Sequence, residues 1–216
     1  MRIALGVGTC VVLGLSWLAP SWAAGSAEAG KTKSAVCAGC HGADGNSPAD
    51  MWPKLAGQLP EYIRKQLHDF KSGARRNDQM TPMAMPLSEQ DIDDLAAYFS
   101  SQKVVPPPQD KKDQLAAGEK LFRRGKGMPD QVAACMGCHG PAGGGKNDWA
   151  ATMKLPPTTL APAIGEQYAG YIANQLKAFK SGSRANDIGS VMRHIAGRMT
   201  DAEITAVAAY TATLRR

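Results

Sequence analysis

Two short runs of the chain carry the same chemistry. Cys37-Ala38-Gly39-Cys40-His41 and Cys135-Met136-Gly137-Cys138-His139 each place two thiols three positions apart and follow the second with an imidazole. A Cys-x-x-Cys pair alone serves zinc, a redox dithiol or an iron–sulfur cluster, and two pairs together could make a four-cysteine zinc site. The histidine that follows narrows the choice. In Cys-x-x-Cys-His both sulfurs are placed for thioether bonds to the vinyl groups of a haem, and the adjacent imidazole reaches the iron from one face. Zinc fits poorly, because its structural pairs are usually joined by a short knuckle loop and here nearly a whole domain intervenes. The motifs imply two covalently bound haem c groups, with Cys37, Cys40, Cys135 and Cys138 as attachment residues and His41 and His139 as iron ligands.

An iron held by histidine on one face takes a methionine thioether on the other when a high reduction potential is wanted. Met80, Met83 and Met85 crowd one loop, so position in that half alone does not choose among them. The chain, however, is written twice, with a repeat of roughly 100 residues, the size of a small duplicated domain. Tyr62, Gln66, Phe70, Lys71, Ser72 and Gly73 return as Tyr171, Gln175, Phe179, Lys180, Ser181 and Gly182, and Asn77-Asp78 as Asn186-Asp187. Met80 stands eight residues before Ser88 and Met192 eight before Thr200, whereas Met83 and Met85 fall opposite Ile195 and Gly197. Met80 and Met192 are therefore the expected sixth ligands, against the alternative that they pack as adaptable core filler. His68 and His194 have no histidine counterpart in the other copy, which favours surface or hydrogen-bonding roles. Pro53 and Pro162, at equivalent places before Gln58 and Gln167, are candidates to present the carbonyl that accepts the Nδ1 proton of each ligating histidine.

The elements that must position these groups read as helices; no stretch sustains the alternation of a strand, so the expected class is all-α. A short helix precedes each cysteine pair (Glu28 to Val36, Gln114 to Arg124). A middle helix carries apolar residues at three- and four-residue spacing, Tyr62 to Phe70 or Tyr171 to Phe179, and ends at Gly73 or Gly182. A closing helix starts at Ser88 or Thr200, with Asp91 or Glu203 three residues on, as in a capping box. The aromatic stripes are read as packing surface. A half of about 80 residues with few large aromatics buries little apolar surface, so a bulky apolar cofactor would complete its core.

The first two dozen residues differ from the rest. Met1 and Arg2 precede an apolar run from Ile3 to Leu18, and Ser21-Trp22-Ala23 has the small-x-small form of a cleavage site. The expectation is a secretion leader, residues 1–23, that takes Cys10 with it; as a bilayer anchor the run is short of the roughly 20 apolar residues needed. The domains expected are 24–103 and 113–216, joined by a linker at 104–112 with three consecutive prolines. Charge divides unevenly: residues 24–105 hold 9 basic and 10 acidic side chains, residues 106–216 hold 15 and 9. Such a dipole orients a protein approaching an oppositely charged partner. The sequence pI of about 9.1 prompts a nucleic-acid reading, but the excess lies in one half and lacks the basic stripe that tracks phosphates.

With these residues in hand, the chain resembles the cytochrome c4 family over essentially its whole length after the leader. The segments that carry the resemblance are Ala24 to Gly30, Cys37 to Pro48 (CAGCHGADGNSP), Pro53 to Gln58 (PKLAGQ), Leu87-Ser88 and Ala96 to Gln102 (AAYFSSQ). The resemblance implies two tandem class-I cytochrome c-like domains packed face to face, histidine/methionine iron in both, and a periplasmic location. It also implies electron delivery to redox proteins of the respiratory chain, with a terminal oxidase as acceptor. Met80 and Met192 fall where that family has its axial methionines. The second half departs from the pattern: it carries eleven extra residues between the haem motif and the middle helix, it contains Pro156-Pro157-Thr158-Thr159, and its Pro162 to Gln167 segment matches loosely.

An electron carrier follows if both irons are saturated by protein ligands, since no position is left for a substrate. The competing readings are a dihaem peroxidase with one displaceable sixth ligand, and a cytochrome subunit tied to a particular dehydrogenase. Peripheral attachment to a membrane is compatible with all three.

Overall fold

Ser88 and Thr200 open the two closing helices by the same device. Each hydroxyl accepts the backbone N–H three residues on, from Asp91 at 3.1 Å and Glu203 at 3.2 Å. Each acid's carboxylate accepts the cap residue's own N–H in return, at 2.9 and 2.7 Å. Two otherwise orphan donors are satisfied at each helix start, which is why the chain turns helical there.

The computed structural model describes residues 25–108, 115–146 and 161–216. The first half contains α1 (Ala27–Lys33), α2 (Ala38–His41), α3 (Pro60–Ser72), α4 (Met80–Ala84) and α5 (Glu89–Ser101). The second repeats them as α6 (Ala116–Arg124), α7 (Cys135–His139), α8 (Ala169–Ser181), α9 (Val191–Gly197) and α10 (Asp201–Thr213). Among the described residues the only β pairing is two isolated bridges, Lys126 with Val132 and Lys146 with Ala161. The all-α expectation holds. The first opening helix is α-helical only to Lys33 and finishes as a 3-10 turn, Ser34–Val36. The middle helices stop where expected, because Gly73 and Gly182 take φ of 78° and 77°, a left-handed turn that a side chain would oppose.

In each half the opening helix lies across the closing one, and a glycine sets their separation. A Cβ on Gly30 would sit 2.0 Å from the Asp94 carbonyl oxygen, and one on Gly118 would sit 2.1 Å from that of Ala206. The closing helices then bury Ile92, Leu95 and Phe99, or Ile204, Val207 and Tyr210, against the middle helices and the opening ones. Each half has its own apolar cluster, Ile63 with Leu95, Tyr98 and Phe99 in the first, Leu121 with Phe122, Met199 and Ile204 in the second.

No described helix is long and apolar enough to cross a membrane. Residues 104–108 of the expected linker follow α5 without helical structure. The expected leader with Cys10, the remainder of the linker, Gln114 and the Pro156 to Thr159 segment lie outside the described residues.

Candidate functional site

The haem motifs sit on helices of four and five residues. α2 and α7 end at their histidines because Gly42 and Gly140 follow at φ of 77° and 80°. One turn of helix keeps each motif's two sulfurs and its imidazole in a single compact group. The four motif cysteines are half-buried. Burial pushes the Cys135 thiol up to about 11 and raises Cys37 and Cys138 as well.

His41 and His139 are buried, 5% and 8% exposed. The Nδ1 of His41 is 2.8 Å from the Pro53 carbonyl oxygen and that of His139 is 2.9 Å from the Pro162 carbonyl oxygen. A carbonyl can only accept, so Nδ1 carries the proton and Nε2 keeps a lone pair for a metal. Burial holds both imidazoles below their ordinary pKa, with the carbonyl contact opposing, and this favours the neutral, ligating form. The second half's loosely matching loop thus delivers the same contact as the first. Its departure is elsewhere: Glu166, opposite Gly57 in the repeat, occupies the same left-handed backbone, φ 60° against 62°. Glu166 is ion-paired with Arg216 at 3.6 Å.

Met80 opens α4 and Met192 lies in the first turn of α9; both are half-buried. Met83 and Met85 are exposed, at 42% and 61%. His68 reaches Glu89 at 3.3 Å on the surface, and His194 is an exposed side chain whose Nδ1 lies 3.3 Å from the Ser190 carbonyl oxygen.

Donor chemistry and burial fit a haem in each half: two sulfurs, one neutral oriented imidazole and one thioether-bearing helix start. In the first half the Trp52 indole N–H, next to Pro53, is also buried without an acceptor, a polar group that a carboxylate-bearing cofactor could satisfy.

The sequence pointed to Tyr62, Gln66, Tyr171 and Gln175 only as parts of packing stripes. The structure turns them toward the opposite half. Arg184 donates to Gln175 Oε1 at 2.8 Å, to Tyr62 OH at 2.9 Å and to Gln66 Oε1 at 3.1 Å. Arg75 donates to Gln66 Oε1 at 2.7 Å, to Gln175 Oε1 at 2.8 Å and to Tyr171 OH at 3.3 Å. Each guanidinium also lies over its own half's phenylalanine, Arg75 on Phe70 at 4.6 Å and Arg184 on Phe179 at 4.4 Å. Burial raises the Tyr62 phenol, but Arg184, Arg75 and Lys65 outweigh it and hold the group below its ordinary pKa. The halves are joined further by Tyr168 OH donating to the Ser47 carbonyl at 2.7 Å and by the Lys54 ammonium over the Tyr168 ring at 4.6 Å. The legible signal for this contact was a polar residue kept at one register in both copies, where a core needs none.

The family model described as Cytochrome c matches residues 27–103 and again 115–215. Cytochrome c4 of Pseudomonas aeruginosa is 45% identical over 205 residues, covering 94% of this chain and 95% of that protein. The thiosulfate dehydrogenase electron acceptor of Thiomonas intermedia is 42% identical over 221 residues, covering 98% and 91%. Among solved structures, reduced recombinant cytochrome c4 from Pseudomonas stutzeri superposes with a TM-score of 0.79 at 44% identity, covering 89% of this chain and 100% of that one.

Proposed function

The chain belongs to the cytochrome c4 family, dihaem electron carriers and not enzymes, and from that premise we propose that it moves single electrons outside the cytoplasm from respiratory donors to a terminal oxidase. The observation that carries the reading is the duplicated arrangement of a Cys-x-x-Cys-His turn whose buried imidazole is fixed by a proline carbonyl. In this reading residues 1–23 are a leader, 24–103 and 113–216 are the two domains, and 104–112 is the linker.

Haem c, when bound, supplies a one-electron iron couple. Cys37 and Cys40, or Cys135 and Cys138, would hold it through thioether bonds. His41 and His139 would hold the iron through Nε2, and Met80 and Met192 through their thioethers. The proline carbonyls keep each imidazole in one tautomer and one orientation, so little has to rearrange when the iron changes charge. The thioethers would favour the reduced state, and an iron held by these protein side chains would supply electron transfer rather than substrate chemistry.

A second reading, an electron acceptor dedicated to one dehydrogenase, is favoured by the Thiomonas relative. The test uses the chain matured with haem c. A pyridine haemochrome assay should give two haems per chain, and the oxidised spectrum should show the weak far-red sulfur-to-iron band. A high-spin haem in the unaltered protein would sink methionine ligation in that half. Stopped-flow reduction by candidate dehydrogenases, compared with oxidation by a terminal oxidase, separates the two readings by which partner reacts rapidly at physiological ionic strength.

A further inference from the structure

Gln58 and Gln167 cross the boundary between the halves in opposite directions. Gln167 Oε1 accepts the Lys54 N–H at 2.9 Å and its Nε2 donates to the Lys54 carbonyl at 2.9 Å. Gln58 Oε1 accepts the Ala163 N–H at 2.9 Å and its Nε2 donates to the Ala163 carbonyl at 2.8 Å. Lys54 follows Pro53, and Ala163 follows Pro162. The N–H that each glutamine engages therefore belongs to the same peptide group as the carbonyl against which the other half's histidine rests.

We propose that Gln58 and Gln167 are reciprocal tuning residues, each setting the donor strength of the haem-ligating histidine in the opposite half. The line of contacts runs from His41 Nδ1–H to the Pro53 carbonyl, through that peptide to the Lys54 N–H, and on to Gln167 Oε1; its counterpart runs from His139 through the Pro162–Ala163 peptide to Gln58. A peptide group is conjugated, so an acceptor on its N–H shifts electron density onto its carbonyl oxygen and strengthens the bond accepted there, by roughly 10–30% per bond in a chain. A stronger pull on the Nδ1 proton makes Nε2 a better donor to iron and favours the oxidised state. Water competes little, because Gln58, Gln167, Lys54 and Ala163 are 8%, 6%, 5% and 4% exposed. Nor is either amide loose: each Oε1 also accepts the next residue's N–H, from Leu59 at 3.0 Å and Tyr168 at 3.1 Å, which pins it to the start of its own middle helix. A mere clasp between the halves would need no such register with the histidine carbonyls.

The inference rests on the haem reading of the two motifs, so the experiment checks that first. Full-length Gln58→Met, Gln167→Met, Gln58→Glu and Gln167→Glu proteins are matured with haem, and two haems per chain are confirmed by pyridine haemochrome; their absence from the unaltered protein would overturn the haem reading itself. Potentials are then measured by spectroelectrochemistry, the two haems being told apart by NMR signals assigned through side chains of their own half. Gln167→Met should raise the first haem's ferrous-to-ferric ratio at fixed potential about threefold, equal to about 30 mV at 59 mV per tenfold for one electron. The second haem should move by much less, and Gln58→Met should give the reverse pattern. The glutamate variants, with a stronger acceptor, should displace the same haem in the opposite direction, and the His41 or His139 Nδ1 resonance should move with its haem. Shifts confined to the mutated residue's own half, equal shifts in both haems, or none would overturn the proposal. Should the methionine variants fail to fold, the glutamate pair decides by the same crossed pattern.

Discussion

Asn77 and Asn186 hold the same place in the two halves and do different work. The Asn77 carboxamide oxygen accepts the Met80 N–H at 2.8 Å and the Gln79 N–H at 3.1 Å, and so shapes the first turn of the helix that carries the methionine. Asn186 turns away, donating across the boundary to Gln66 at 3.1 Å and Asp69 at 2.5 Å. In the second half the methionine turn is held instead by Asp187, whose buried carboxylate accepts the Arg193 N–H at 3.0 Å and pairs with its guanidinium at 2.7 Å. Its first-half counterpart, Asp78, is exposed. Three more residues separate Asn186 from Met192 than Asn77 from Met80, and they form a 3-10 turn, Ile188–Ser190, with Gly189 and Ser190 left-handed. The asparagine therefore no longer reaches the methionine helix and is free to take partners across the boundary. The histidine contacts did not diverge in this way: both proline carbonyls lie within 0.1 Å of the same distance from their histidines.

The packing of opening on closing helix shows the same freedom. Asp94, buried in the first half, accepts from Ser26 N–H and the Lys33 ammonium at 2.7 Å each and from the Gln90 amide at 2.9 Å. The repeat places Ala206 at the equivalent site, and the second half closes its helix pair with the buried ring of Phe122, 5.6 Å from that of Tyr210. One half closes on a buried acid; the other closes on paired rings, with the Tyr210 hydroxyl accepting from Arg123 at 2.9 Å.

The sharpest test of how alike the halves are is removal of the methionines. Met80→Ala and Met192→Ala should each abolish one haem's share of the far-red band and lower that haem's potential by a sizeable part of the roughly 0.8 V that axial ligands span. A band lost entirely in one variant and unchanged in the other would break the equivalence.

Gly30→Ala and Gly118→Ala should be next in effect and nearly equal. Each added Cβ would meet a backbone carbonyl that cannot retreat without parting two helices, at a cost of about 3 kcal/mol. Urea midpoints of the holo-protein, followed in each half by hydrogen exchange, would reveal any inequality.

At the boundary the halves should separate. Arg184 is 8% exposed and donates four hydrogen bonds, including one to Asn186 at 3.0 Å, so Arg184→Met should cost about 2–3 kcal/mol; Arg75, less buried and donating three, should cost about 1. The comparison is read from denaturation midpoints at unchanged slope. Equal losses would mean that burial does not distinguish the two arginines.

The smallest effect is a pH dependence of the first half. The bond from Lys33, then those from Ser26 and Gln90, hold the Asp94 carboxyl below its ordinary value against the opposing effect of burial. A depressed folded pKa contributes stability that is complete above the unfolded value of about 3.9 and is lost as pH falls toward the folded one. Below about pH 4 the first half should therefore lose protection, and Glu203, held low by its Thr200 cap contact and Lys126, gives the second half a parallel loss. Asp94→Ala should lessen the first half's loss, Asp91 on the same Lys33 still contributing, while costing about 1 kcal/mol at neutral pH. Hydrogen exchange between pH 3 and 6, resolved by half, checks both statements.

What the sequence by itself determined was local. Thioether attachment and the expected histidine ligation need residues within one helical turn, so Cys37 to His41 and Cys135 to His139 were legible without a fold. The capping boxes at Ser88 and Thr200 and the stops at Gly73 and Gly182 depend on partners at most a few residues away, and each element they bound was legible for that reason. The repeat added a comparison that singled out Met80 and Met192 from neighbouring methionines. Only the tertiary structure decided which surface of one half meets the other. Helical periodicity separates inside from outside, and Tyr62, Gln66, Tyr171 and Gln175 read alike whether they face water or a second domain. Their partners in the opposite half, and those of Gln58 and Gln167, stand 96 to 122 positions away in the chain, a distance over which no local pattern carries information. Hydrogen bonds of that reach exist only after both halves have folded and closed out water, and it is the fold that lets each half's glutamine rest on the peptide holding the other's histidine.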